Sequence, residues 1–133
     1  MAVLSYAEPK RLGDWLIREG FDGARYAREQ VTLLSSATAD TVLTTGMAMG
    51  KITASGKWVQ VNFAAVDGSQ TVAGILGPDV TVPQSVDTQS WVIDRLSVVR
   101  DLGITWPTGT SGANIAAGTA SLKTLGVIVR TGA

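Results

Sequence analysis

Neither cysteine nor histidine occurs among the 133 residues. Without thiol or imidazole there can be no disulfide, no thiolate nucleophile and no Ser-His or Cys-His pair. Almost none of the usual zinc ligand sets remain either. Charge is scarce at 17% of residues, and it balances at 11 basic against 11 acidic side chains. A chain without net charge has no long-range attraction for nucleic acid or an anionic membrane surface. Aromatic residues are few, 6% of the total, and apolar runs fall well short of the ~20 residues a membrane helix needs. The start, Met1-Ala2-Val3-Leu4-Ser5-Tyr6, lacks the basic region and long apolar stretch of a secretory signal. The expectation is a soluble protein made in the cytoplasm, with no cofactor, no metal and no catalytic residues to name.

What the chain has is short apolar segments separated by turn residues. From Gly50 to Trp58, and again from Asp67 to Leu76, two short β-segments are joined by tight turns. Ser55-Gly56 and Asp67-Gly68 mark those turns, because glycine tolerates positive φ and aspartate can bond its own backbone. Val59, Val61 and Phe63 alternate with Gln60 and Asn62, the period-two pattern of a strand with one buried face. Further strand candidates are Gln30–Leu34, Val42–Leu43, Met47–Thr53, Lys57–Ala64, Thr71–Leu76 and Val127–Val129. Pro83 restricts Val80–Val82 to an edge segment. Ser90–Val99 reads as one longer strand, although its apolar spacing also fits part of a helix. Ala113–Leu125 reads as a short helix with Ser111 as N-cap and Gly126 as its stop. Ile115, Leu122 and Leu125 would share its buried side, and Gly118 weakens it by about 1 kcal/mol relative to alanine. The sum is a mainly β fold of many short strands with one or two short helices, without βαβ alternation.

Charge gathers at the start. Lys10, Arg11, Arg18, Arg25 and Arg28 stand there with Glu8, Asp14, Glu19, Asp22 and Glu29, close to half of all the charge in the chain. Pro9, Gly13, Gly20 and Gly23 punctuate the same stretch. It reads as an extended arm over residues 1–29, with a short helical turn around Asp14-Trp15-Leu16-Ile17, standing outside the core of a β-rich domain over residues 30–133. Two readings remain open for Trp15 and its apolar neighbours Leu12, Leu16 and Ile17. They anchor the arm in a partner's pocket, or they dock onto their own domain. The charge-poor remainder, rich in Thr, Ser, Ala and Gly, either faces other protein or is simply the surface of a small β-domain.

Motifs that would carry chemistry fail on spacing. Gly46-Met47-Ala48-Met49-Gly50-Lys51 has three residues between its glycines where a phosphate loop needs four, and Ile52 stands where a hydroxyl should hold magnesium. Asp87, Asp94 and Asp101 recur at odd intervals that would place strand neighbours on opposite faces, so no carboxylate pair forms. Trp58, Trp91 and Trp106 read as core or subunit-contact residues. A rival reading has exposed tryptophans holding carbohydrate in a β-rich binding module.

The order of several elements resembles the head decoration proteins of lambda-like tailed phages. The shared features are the Lys57-Trp58 strand start, the Asp67-Gly68-Ser69-Gln70 turn and the Ala73-Gly74-Ile75-Leu76 segment, then the Arg95–Arg100 region and Trp106-Pro107. Leu12-Gly13-Asp14-Trp15-Leu16 and Arg28-Glu29-Gln30-Val31-Thr32-Leu33-Leu34 are similar to the start of many prophage members. The arm is longer and more charged than in the shortest lambda-like members. The resemblance implies a β-clip-like small barrel that assembles as a homotrimer. It would bind the major capsid protein on the outer capsid surface, at three-fold and quasi-three-fold positions, after the head expands. It implies a virion protein made in the host cytoplasm that contacts neither nucleic acid nor membrane directly. On that reading the capsid-binding arm residues are Leu4, Tyr6, Leu12, Trp15, Leu16, Ile17 and Tyr26. The candidate core or trimer contacts are Trp58, Ile75, Trp91, Trp106 and Pro107.

Overall fold

The computed structural model describes residues 10–19 and 27–132. Ten strands and one α-helix lie among them: β1 (Leu16–Glu19), β2 (Arg28–Leu33), β3 (Thr41–Leu43), β4 (Ala48–Lys51), β5 (Trp58–Gln60), β6 (Val72–Leu76), β7 (Val80–Val82), β8 (Thr88–Ile93), β9 (Ser97–Arg100), α1 (Gly112–Thr124) and β10 (Val127–Arg130). The fold is mainly β, as its short alternating segments and turn dipeptides dictate.

The strands form three sheets. β2, β5, β4, β6 and β8 close into a ring. β2 and β5 meet through one residue pair, Leu33 with Trp58, so the ring is not a clean barrel. β3 and β7 make a two-stranded antiparallel ribbon, which gives the segment before Pro83 its edge position. β9 lies between β1, antiparallel, and β10, parallel, in the third sheet.

The core has two parts on opposite faces of the ring. Ile75 and Ile93 point into one, with Val72, Trp15, Val99, Leu122 and Val127. Leu76 and Val92, their chain neighbours, point into the other with Val31, Leu33, Met49 and Trp58. Successive strand residues face opposite ways, so β6 and β8 are covered on both sides and serve both clusters.

Several turns follow from their residues. Asp67 Oδ1 accepts hydrogen bonds from Ser69 N at 3.0 Å and Ser69 Oγ at 2.6 Å, and Gly68 takes φ +108°. Ser111 caps α1 by accepting from Asn114 N at 3.2 Å, and Gly126 ends it at φ +88°.

Three expectations are corrected. The segment read as one strand over Ser90–Val99 is two, β8 and β9, separated by a bend at Asp94–Leu96 in which Leu96 adopts φ +44°. The Val59–Phe63 alternation is strand only as far as Gln60, because Asn62 and Ala65 close a turn beyond it. Leu125 is 38% exposed, so α1 buries chiefly Gly118 and Leu122.

Candidate functional site

The segment read as an arm outside the core is, over residues 10–19, part of the folded body. Arg11 to Asp14 forms a 3-10 turn in which Asp14 Oδ2 accepts from Arg11 N at 2.7 Å. That turn aims Trp15 inward, where it is fully buried. Its indole Nε1 donates to Thr45 Oγ1 at 2.8 Å, and Thr45 Oγ1 donates onward to the Gly77 carbonyl. A Cβ at Gly103 would lie 2.4 Å from Trp15 Cβ, so the socket needs glycine there. Trp15 O accepts from Arg100 N at 2.7 Å, and β1 then continues along β9. Of the two readings left open for Trp15, docking onto its own domain is the one found. The helical turn starts two residues before its expected place, at Leu12–Asp14, and Leu16–Ile17 is strand.

Lys10 sits at the rim of this socket with Nζ donating to Thr105 Oγ1 at 2.9 Å. Burial lowers its pKa below the usual lysine range, and Asp14 opposes that shift. Leu12 and Leu16 are half-buried against the core, and Ile17 is 39% exposed. Leu4, Tyr6 and Tyr26 lie outside the described residues. The socket of Thr45, Gly46 and Gly103 carries no motif, so nothing in the sequence marked it as Trp15's destination.

The other expected contact residues separate by burial. Trp58 and Ile75 are core residues. Trp91 is half-buried, with the Arg28 guanidinium 3.9 Å from its ring centroid and the backbone of Gly77 close against the ring. Trp106 is half-buried, 6.3 Å from Phe63 between ring centroids, and packs on Gly118. Pro107 joins Phe63 and Asn114 in lining an open cleft of about 530 Å³. Trp15 and Trp58 are buried and Trp91 and Trp106 half-buried, so none of the four lies fully open as the sugar-binding reading expects.

The carboxylates that recur every seven residues serve separate local roles. Asp87 pairs with Lys57 at 2.5 Å and accepts from Ser35 N. The Lys57 and Ser35 hydrogen bonds hold its pKa down to about 2. Asp94 is half-buried with Oδ1 3.5 Å from Arg95 Nε. Burial raises its pKa, only partly offset by Arg95. Asp101 accepts from Leu102 N and Gly132 N in the turn after β9. No group of three or more His, Cys, Asp or Glu residues among the described residues could hold a metal.

The body is small and mainly β, and Asp67, Asp87 and Asp101 hold turns or ion pairs within it. Among known families, the model for bacteriophage lambda head decoration protein D matches residues 5–127. The chain belongs to that family, and its place is the phage head. No curated protein matches it.

Proposed function

We propose that the protein is a non-enzymatic capsid cement. It binds as a homotrimer to the outer surface of the expanded head, at three-fold and quasi-three-fold positions, and clamps neighbouring units of the major capsid protein against the pressure of packaged DNA. The observation that carries this reading is the family match across residues 5–127.

Leu12, Trp15 and Leu16 are committed to the body, so the capsid-reaching portion is the stretch before Lys10, with Leu4 and Tyr6 as its anchors. Ile17 and Tyr26 remain candidate contacts. Pairing backbone groups with an exposed strand edge of the shell satisfies hydrogen bonds on both sides. Each such bond contributes only about 0.5–1.5 kcal/mol net, while ordering the arm costs about 1–2 kcal/mol per residue. Burial of Leu4 and Tyr6 is therefore needed for binding, at about 1.5–3 kcal/mol for a fully buried large side chain.

The test is co-sedimentation with expanded, undecorated heads assembled from the major capsid protein encoded with this chain. The full chain should pellet with heads, and a variant lacking residues 1–9 should stay folded and remain in the supernatant. Undiminished binding by that variant overturns the arm mechanism. Failure of the full chain to bind overturns the decoration reading.

A further inference from the structure

The three-stranded sheet presents an outer face that neither the arm nor the core explains. β9 and β10 run parallel with Val98 beside Ile128 and Arg100 beside Arg130. Ser97, Val99 and Val127 point into the body, so the alternate residues Val98, Arg100, Ile128 and Arg130 point out. β1 adds Arg18 to the row of Val98.

Two features set this face apart. Arg28, Lys57 and Arg95 each hold a carboxylate at 2.5 Å. Arg100 and Arg130 make no side-chain hydrogen bond or ion pair among the described residues, and neither does Lys123, which borders Ile128 across the groove between α1 and β10. Like charges on directly paired strand positions repel, so placing Arg100 beside Arg130 works against the fold unless an anion lies over them. The second feature is aliphatic exposure amid these cations: Ile128 is 57% exposed, and Leu102, two residues beyond Arg100, is 86% exposed.

We infer that this outer face is a second docking surface, one that receives a carboxylate-bearing protein surface of the capsid shell. The inference rests on the decoration reading above. Arginines around an aliphatic centre match the composition of protein interfaces, in which arginine is enriched and the buried middle is apolar. A single-stranded nucleic-acid groove would instead interleave its cations with aromatic rings, and none stands on this face.

The test uses the full chain and the same undecorated heads. Arg100→Glu with Arg130→Glu should leave the circular dichroism spectrum and oligomeric mass unchanged and weaken head binding by about tenfold or more, because like charges then oppose across the contact. Arg100→Gln with Arg130→Gln should give a smaller loss. Wild-type binding should weaken between about 50 mM and about 500 mM salt, and the Glu variant should show a flatter dependence. If wild type binds and the Glu variant binds equally well, this face is not the docking surface and decoration stands. If the mass changes, the face joins subunits to one another and the inference is wrong. Retention of wild type on duplex DNA and not on heads would overturn both readings, as would its failure to bind heads at all.

Discussion

Trp15 shows how one side chain decides what the start of the chain does. Its ring is fully buried and its nitrogen satisfied by Thr45, so removing it leaves both a cavity and an unpaired hydroxyl acceptor. Trp15→Ala should cost about 3–5 kcal/mol, read from the urea midpoint, a large fraction of the ~5–15 kcal/mol typical of a domain. Trp15→Phe should cost less, since the phenyl ring refills most of the cavity, although Thr45 Oγ1 loses its indole donor in either variant. Asp94 gives a prediction of opposite sign. Its carboxyl pKa is raised in the folded chain, chiefly by burial, so the charged form opposes folding at neutral pH. Asp94→Asn should therefore be at least as stable as wild type at pH 7. The gap should close as pH falls through the raised value and vanish below about 3.9, the ordinary aspartate pKa. Urea denaturation at several pH values reads it, and a wild type more stable at pH 7 would contradict the burial argument. At this scale the sequence was legible where a residue acts on its own backbone, as Asp67, Ser111 and Gly126 do. Trp15 was not legible, because its socket is assembled from Thr45, Gly46 and Gly103, far along the chain.

Among the elements, α1 is where local propensity and packing disagree. Alanine at Gly118 should strengthen an isolated helix by about 1 kcal/mol. In the folded chain, however, a Cβ there would lie 2.6 Å from Trp106 Cζ3 and 2.9 Å from Val72 Cγ2. Overpacking of this kind costs about 1–3 kcal/mol, so packing wins and Gly118→Ala should lower the thermal midpoint. A rise would mean that Trp106 moves aside at little cost. The glycine was visible in the sequence as a helix weakness, but its reason, the tryptophan crossing over it, was not. The same limit hid the break between β8 and β9. Asp94-Arg95-Leu96 contains neither glycine nor proline, and Leu96 takes positive φ, so no turn chemistry marked the bend. β1 was missed because charged residues on both sides masked a short strand whose partner, β9, is distant in sequence. Strand pairing also fixes where truncation is tolerated. Removing residues 1–9 spares every described element. Removal through Arg28 deletes β1, Trp15 and the first residue of β2 and should abolish cooperative unfolding.

At the scale of the whole molecule, the fold class and family were legible because turn dipeptides and short strands follow in a fixed order along the chain. The binding geometry was not, since it depends on which segments the body absorbs and which it leaves for a partner. On the cement reading proposed above, the residues before Lys10 would offer a few hydrogen bonds and the side chains of Val3, Leu4 and Tyr6 against the entropy of ordering them. A single arm should therefore bind weakly. In the proposed homotrimer the arithmetic would change, because after one arm docked the others would bind at high effective concentration, raising avidity by about 10²–10⁴. Trimers mixed from full-length and 1–9-deleted subunits separate this from independent binding. The residence time on undecorated heads should fall far more than in proportion as two and then three arms are lost. A loss proportional to the number of missing arms would mean that each subunit holds the shell by itself, and that trimerisation serves something other than attachment.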